Sequence, residues 1–192
     1  QLESIKIHSI DDSESAKQEL LEYEIQSPKG EKINLLSAYF PETNLDKEKA
    51  FKIRKNQAYQ VSVIYKMLRM QGKSNIIIAG TLNAPSYCNS LSPLLQETDL
   101  KDISKSKTFN VAIDEGKDAS YYRMGAYRMG VNIKQKDYLL LSPTLFAKVK
   151  SSGLNRKGIW PEKRPNWRIY STIRNMEQAA SLHPGVWMQV KL

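Results

Sequence analysis

The sequence predicts an α+β fold in which a helix packs on layered β-sheets. Three segments with strand character come first, one long amphipathic helix follows, and the later strands are separated by long loops. Helices and strands do not keep alternating along the chain, which argues against a parallel doubly wound sheet. At 192 residues the chain is long enough to form one domain with a substantial core.

The first half of the chain contains most of the regular pattern. Residues 1–10, 20–26 and 32–40 are predicted strands, and Ser27-Pro28-Lys29-Gly30 is a strong turn signal between the last two. Asn44 is predicted to cap a helix that Gly72 ends. Helical spacing gives this helix one apolar stripe, formed by Ala50, Ile53, Ala58, Val61, Ile64 and Leu68.

The second half is predicted to hold strands separated by loops. Residues 75–79 form a β-branched run that is typical of a fully buried strand, and residues 80–85 form the loop after it. The remaining predicted elements are a short helix at 92–96, strands at 121–127 and 136–142, a long basic loop at 151–178 and a closing strand at 185–192.

Bulk composition excludes some classes and favours an anionic partner. No apolar run approaches the ~18 residues of a membrane-spanning helix, and the single cysteine, Cys88, excludes an internal disulfide. Neither observation predicts a cellular compartment. The net charge is +9, which favours nucleic acid or phosphorylated molecules as partners.

The positive charge is concentrated in the basic loop. Residues 147–174 contain eight Lys and Arg and one Glu, with aromatic residues between them. This composition suits base stacking and phosphate binding, and an equally open interpretation is a solvated loop whose tryptophans anchor it to the core. The candidate ligand-binding residues of the loop are Arg156, Lys157, Trp160, Arg164, Trp167 and Arg168.

Four short motifs lie at strand ends, where functional groups are usually displayed. They are residues 39–44 (Tyr-Phe-Pro-Glu-Thr-Asn), 80–83 (Gly-Thr-Leu-Asn), 136–142 (Lys-Asp-Tyr, an apolar run and Ser) and 180–184 (Ala-Ser-Leu-His-Pro). Taken alone, each has a structural explanation, such as a turn residue, a loop cap or a buried histidine. Together, their order is informative.

In order, spacing and flanks, these motifs resemble those of the endonuclease/exonuclease/phosphatase superfamily, which includes exonuclease III and deoxyribonuclease I. That family has a Tyr or His before a Pro-containing loop, then Gly-Asp-x-Asn, Asp-Tyr before an apolar strand, and Ser-Asp-His-x-Pro. The resemblance covers about residues 20–192. It implies a four-layer α/β/β/α sandwich of which residues 1–192, as one domain, would form the C-terminal portion, without the N-terminal half that carries the family's metal-binding Glu.

The resemblance implies roles for four retained residues. Tyr39 matches a tyrosine that contacts the scissile phosphate, and Asn83 matches an asparagine that positions the phosphate and the attacking water. Asp137 and His183 match a pair in which the carboxylate orients the imidazole near the phosphate.

Two catalytic carboxylates of the family pattern are replaced. Thr81 stands where the family has the Asp of Gly-Asp-x-Asn, and a threonine hydroxyl cannot act as a general base at neutral pH. Leu182 stands where the family has the Asp of Ser-Asp-His, and its hydrocarbon side chain cannot coordinate Mg²⁺. A general base contributes about 10²–10⁴-fold in rate, so both losses together predict hydrolysis near background.

Three hypotheses follow. The first is a catalytically impaired member that binds an anionic, phosphate-bearing ligand or a partner protein and needs no metal. The second is an active Mg²⁺-dependent phosphoesterase or nuclease completed by residues outside this chain. The third is a structural interaction domain, since half of a sandwich would expose an apolar sheet face and associate as a homo-oligomer or with a complementing chain.

Overall fold

The structure, a computed structural model, describes residues 1–10, 18–42, 46–111, 135–155, 172–181 and 183–192. The strands are β1 (Leu2–Ile10), β2 (Gln18–Gln26), β3 (Lys32–Tyr39), β4 (Ile76–Thr81), β5 (Lys101–Asp102), β6 (Phe109–Val111), β7 (Asp137–Leu141), β8 (Val149–Asn155) and β9 (Gly185–Val190). The helices are α1 (Lys47–Met70), α2 (Ser92–Leu95) and α3 (Pro143–Phe146), with short 3₁₀ turns at Asn89–Leu91, Ile103–Lys105 and Met176–Gln178.

Two sheets of unequal size organise these elements. The first has six strands in the order β1-β2-β3-β4-β7-β5, and the second has three in the order β6-β8-β9. In the first sheet only the β3–β4 pair is parallel, as expected for strands joined through the long helix α1. The α+β class predicted from the sequence is therefore confirmed.

Helix α1 begins at an aspartate cap. The Oδ1 atom of Asp46 accepts hydrogen bonds from the backbone N–H groups of Glu48 and Lys49, at 3.0 Å each. The prediction that Asn44 caps the helix was wrong by two residues, because the charged Asp46 meets the first free N–H groups and the positive end of the helix dipole.

The main core lies between α1 and one face of the first sheet. Ile53, Ala58, Val61 and Leu68 of the predicted stripe are buried, whereas Ala50 and Ile64 are half-buried. Tyr65 joins them, and its hydroxyl donates to Asp99 at 2.5 Å, which satisfies a polar group in the core. The sheet contributes buried residues that include Leu20, Leu36, Ile76, Ile78 and Leu140.

The second sheet covers only part of the opposite face. Apolar residues of β9 pack with Ile77 and Leu139 in a separate cluster, so the second sheet lies over β4 and β7. The described layers are therefore helix, sheet and sheet. None of the described helices is long and apolar enough to cross a membrane.

Strands β1–β3 carry an apolar face that belongs to neither core cluster. Strand register places its members side by side, because directly paired residues project to the same face. On β1, Ile5 and Ile7 are 57% and 59% exposed. We define the open face as Ile5, Ile7, Leu21, Tyr23, Ile25, Ile33 and Leu35.

The outer edge of β9 is also open, since among the described residues β9 pairs only with β8. Strand β6 lies beside the turn that follows β5, and β9 contacts β7. The second sheet therefore runs from the β5 side towards the middle of the first sheet. Its free edge faces the side on which the open face lies.

The prediction of a loop over residues 151–178 was wrong for its first five residues, which belong to strand β8. It occupies Val149–Asn155 and pairs with both β6 and β9. Its Ser-Ser-Gly stretch has low intrinsic strand preference, and its conformation comes from tertiary pairing. The predicted strand at 121–127 lies outside the described residues.

Gly80 allows β3 and β4 to approach closely at the end of the parallel pair. Its φ of +150° lies in a region that favours glycine, and a Cβ there would come within 1.8 Å of the Ala38 carbonyl oxygen. Gly72, at the end of α1, also has positive φ (+82°), but a Cβ there would meet no atom within 4 Å. A side chain at Gly72 would therefore cause backbone strain alone, whereas a side chain at Gly80 would cause backbone strain and a steric clash.

We expect Gly80→Ala to lower the free energy of unfolding by roughly 4 kcal/mol, because strain and overpacking add. Gly72→Ala is the matched control and should cost about 1 kcal/mol, for the left-handed conformation alone. Urea unfolding followed by circular dichroism measures both values. Equal losses in the two variants would contradict the close approach at Gly80.

Candidate functional site

The candidate site lies where the ends of three strands meet. Tyr39 ends β3, Thr81 ends β4 and Asp137 begins β7. The register pairs Tyr39 with Thr81 and Thr81 with Asp137. Paired residues project to the same face, so these three side chains form a row at one edge of the first sheet.

The carboxylate of Asp137 links two of the predicted residues. The hydroxyl of Thr81 donates to Asp137 Oδ1 at 2.6 Å. His183 Nδ1 lies 3.0 Å from Oδ1 and 2.9 Å from Oδ2 of the same carboxylate. An ionised carboxylate can only accept, so Nδ1 carries the proton and the imidazole orientation is fixed.

Burial differs between the two partners. The side chain of Asp137 is 14% exposed and that of His183 is 40% exposed. Asp137 therefore contacts the imidazole from the buried side, and the imidazole lies nearer to solvent. No bond joins His183 Nε2 to another described residue, so this atom is available to a ligand.

His183 is held in place by its own loop. Its backbone N–H donates to Ser181 Oγ at 2.9 Å, just before β9 begins. Leu182, the replaced carboxylate position between these two residues, lies outside the described residues. The serine of the Ser-x-His motif thus has a local structural role.

Asn83 ties the loop after β4 to the end of β3. It adopts a positive φ of 50°, which asparagine tolerates better than most residues, and its Nδ2 donates to the Phe40 carbonyl oxygen at 2.7 Å. The Phe40 N–H in turn donates to the Thr81 carbonyl oxygen at 2.9 Å. The structure therefore gives Asn83 a bond that shapes the site, and its role towards phosphate and water stays a prediction.

A cavity of about 480 Å³ adjoins the Asp137–His183 pair, between the two sheets. Thr81, Asp137, Ser181 and His183 line it, together with Asn155 at the end of β8. Sequence reasoning missed Asn155, since it lies in the stretch predicted as a loop. Its pairing with Gly185, two residues after His183, brings it to the site.

Tyr39 is displayed at the edge of this site, with 63% of its surface exposed. It does not line the cavity itself. The six basic-loop residues predicted to bind a ligand, from Arg156 to Arg168, lie outside the described residues. All four retained motif residues lie in the described part of the chain. Tyr39 and Asp137 belong to the row, His183 contacts the Asp137 carboxylate, and Asn83 lies in the loop after β4.

An ion pair that sequence reasoning missed lies next to this row. Lys136 immediately precedes Asp137, and its Nζ contacts Glu42 Oε1. Hydrogen bonding to Lys136, followed by the attraction of its charge, lowers the pKa of Glu42 below the usual value. The positive charges of Arg54 and His183 contribute in the same direction.

The sequence matches no family model and no curated protein. Solved structures do match. The truncated TDP2 of Caenorhabditis elegans has a TM-score of 0.61 at 18% identity, covering 96% of this chain and 64% of that chain. An endonuclease/exonuclease/phosphatase from Bacteroides vulgatus has a TM-score of 0.61 at 10% identity, covering 100% and 66%.

The chain has the endonuclease/exonuclease/phosphatase fold. A mannosyl-6-phosphatase from Bacteroides thetaiotaomicron also matches, with a TM-score of 0.55 at 13% identity over 80% of this chain and 56% of that chain. The chain thus spans less than two thirds of the length of these structures. The resemblance found in the motifs therefore holds at the level of the fold.

The endonuclease/exonuclease/phosphatase pattern implies Mg²⁺, and the donors at this site do not fit it. The described residues contain no group of three or more His, Cys, Asp and Glu side chains that could hold a metal ion. Thr81 donates its proton to Asp137 and offers no charged oxygen, which is the kind of ligand that Mg²⁺ prefers. No chemical step is therefore assigned to a metal.

We expect Thr81→Val to lower the free energy of unfolding by about 1–2 kcal/mol, because it removes a donor from a largely buried carboxylate. Thr81→Ser keeps the hydroxyl and should retain most of the stability. Urea unfolding measures both, and the NMR signal of the His183 ring reports whether the imidazole stays ordered. If Thr81→Val matched the wild type in both measurements, the hydroxyl would not support Asp137.

Proposed function

We propose that this chain is an endonuclease/exonuclease/phosphatase-like protein that binds a phosphate-bearing ligand and hydrolyses it poorly or not at all. The observation that carries the proposal is the 2.6 Å hydrogen bond from Thr81 to Asp137. The resemblance implies a carboxylate at position 81 that activates the attacking water. The Thr81 hydroxyl at that position donates its hydrogen bond to Asp137 and cannot act as the base.

The retained pair supports binding. Asp137 holds the His183 imidazole beside a cavity of about 480 Å³, with Nε2 available among the described residues. We assign to this pair the role that the family resemblance implies, in which the carboxylate supports a positive charge on the imidazole close to a phosphate. The net charge of +9 favours the approach of an anionic ligand, such as a nucleic acid or a phosphorylated small molecule.

The chemical deficit supports weak hydrolysis. Without a general base the rate falls by about 10²–10⁴-fold. Without a metal the charge stabilisation of the leaving group is also lost. The alternative, an active Mg²⁺-dependent phosphodiesterase, phosphatase or nuclease, would need its missing ligands from residues outside this chain.

Pyrophosphate binding and phosphodiester turnover test the proposal together. By titration calorimetry we expect the chain to bind pyrophosphate and His183→Ala to bind at least about tenfold more weakly, as for the loss of a charge-assisted hydrogen bond. With bis(4-nitrophenyl) phosphate and Mg²⁺ we expect turnover near background. His8→Ala is the matched control, since the only other histidine pairs with Glu22 at 2.8 Å in the first sheet, away from the site.

Two outcomes would reject the proposal. Mg²⁺-dependent turnover that His183→Ala abolishes would establish the active alternative. Absence of pyrophosphate binding, or binding that His183→Ala leaves unchanged, would remove the ligand-binding role.

A second candidate function, a structural interaction domain, is favoured by the open face. Apolar surfaces of this kind drive association, and β9 has a free edge among the described strands. A partner would extend the second sheet over β1–β3. About a third of each matched chain lies outside the part that this chain covers (64% and 66% are covered), which is the scale of such an addition.

We expect the double variant Ile5→Lys with Ile7→Lys to weaken self-association or partner association by roughly tenfold or more, since each buried isoleucine contributes about 1.5–3 kcal/mol. Sedimentation velocity measures the effect. Tyr59→Lys with Val63→Lys is the control, because these residues are 55% and 45% exposed on α1. A wild-type chain that remains a monodisperse monomer, alone and in native extract, would contradict this function.

A further inference from the structure

The cavity beside the Asp137–His183 pair extends one row deeper into the molecule than the polar residues do. Thr81 and Asp137 are directly paired on β4 and β7, and Ala79 and Leu139 are paired two residues further from this edge of the sheet. Residues two apart on a strand project to the same face. Ala79 and Leu139 therefore form a second row next to Thr81 and Asp137, and all four residues line the cavity.

The second row is apolar on both walls of the cavity. Val186, on β9, belongs to the same apolar cluster as Leu139, so it faces the first sheet. Ala79, Leu139 and Val186 are each half-buried, and each lines the cavity. Val186 follows His183 by three residues, so the apolar wall begins next to the imidazole.

Side-chain size explains where the cavity ends. The next row along the same strands pairs Ile77 with Leu141, and neither of these two larger side chains lines the cavity. The face of β4 that is turned towards the second sheet is therefore open at Ala79, which carries only a methyl group, and closed at Ile77.

The cavity has more room than a phosphate needs. Its volume is about 480 Å³, whereas a cavity of roughly 150 Å³ accommodates a ligand of the size of benzene. Sites for small molecules are typically lined by apolar side chains, with a few polar groups that fix the orientation of the ligand. Here the polar and the apolar part lie in adjacent rows, about 7 Å apart along the strands.

We propose that the ligand of this site is an organic phosphate that carries an apolar group, of the size of one aromatic ring, directly on the phosphate. His183 then faces the phosphate, and Ala79, Leu139 and Val186 contact the apolar group. The inference rests on the proposed function, in which His183 binds phosphate, and it names the class of ligand. A charged group in the second row would lose its water and gain no hydrogen bond from these three side chains.

Two phosphonates that differ only in their substituent test the inference, and neither has an ester bond to hydrolyse. Phenylphosphonate carries a ring, and methylphosphonate carries the same anionic group with a single methyl. By titration calorimetry we expect the chain to bind phenylphosphonate at least about tenfold more tightly, because the ring buries apolar surface. His183→Ala should weaken both by a similar factor, since both offer the same anion.

Variants of the second row locate the ring. Val186→Thr nearly keeps the shape of the side chain and adds a hydroxyl, so we expect it to reduce the preference for phenylphosphonate about threefold or more. Ala79→Leu fills the space and should remove the preference. Val190→Thr is the matched control and should keep it, because Val190 belongs to the same apolar cluster on β9 but does not line the cavity.

Urea unfolding followed by circular dichroism shows whether each variant is folded before it is titrated. If Ala79→Leu does not fold, the comparison of Val186→Thr with Val190→Thr still decides the inference. These two changes are chemically identical and lie on the same face of one strand.

The outcomes separate the inference from the proposed function. Equal affinities for the two phosphonates, both reduced in His183→Ala, would overturn the inference and leave the phosphate site in place. A preference for the ring that Val186→Thr and Ala79→Leu leave unchanged would also overturn the inference, since the ring would then bind elsewhere. Absence of binding for both phosphonates and for pyrophosphate would overturn the proposed function as well.

Discussion

The close approach of β3 and β4 at Gly80 is the constraint on which the site depends. Only a residue without a side chain can bring the two backbones together there, because a Cβ would lie 1.8 Å from a carbonyl oxygen. One residue further along, the parallel pair ends with Tyr39 opposite Thr81. On the other side of β4, strand β7 places Asp137 opposite Thr81. The row of Tyr39, Thr81 and Asp137 is a consequence of backbone geometry before any side chain contributes.

The threonine at position 81 determines what that row can do. A carboxylate beside Asp137 would place two negative charges at hydrogen-bond distance, an arrangement that requires a cation or a shared proton. A threonine hydroxyl removes this conflict by donating to Asp137. The Asp137 carboxylate thus accepts from both Thr81 and His183, which fixes the orientation of the imidazole.

The sequence was most informative where patterns are local. The β-branched run at Ile76–Ile78, the apolar strand after Asp137 and the spacing of α1 each predicted an element that the structure contains. Strand β8 was missed because its Ser-Ser-Gly stretch is extended only through pairing on both sides, with Gly153 packed against the Asn110 carbonyl oxygen. Such tertiary effects leave no periodic signal.

The same distinction applies to the site. Thr81, Asp137 and His183 stand in short motifs, so sequence order was sufficient to select them, and the structure brings them together. Glu42 and Lys136 lie within two of the selected segments but had no predicted role, and Asn155 lies in none of them; their contacts at the site come from the fold. Leu182 and the basic-loop residues lie outside the described residues and stay predictions.

The composition of β9 has a consequence for how the protein must be handled. Its six residues, Gly-Val-Trp-Met-Gln-Val, contain no charge and no proline, and their outer edge has no partner among the described strands. Uncharged, β-prone segments with an open edge template fibrillar aggregation. Pro184 and Lys191, directly before and after this segment, are residues that interrupt such growth. These two flanking residues therefore oppose the addition of further strands at the ends of β9, and Pro184 also lines the candidate cavity.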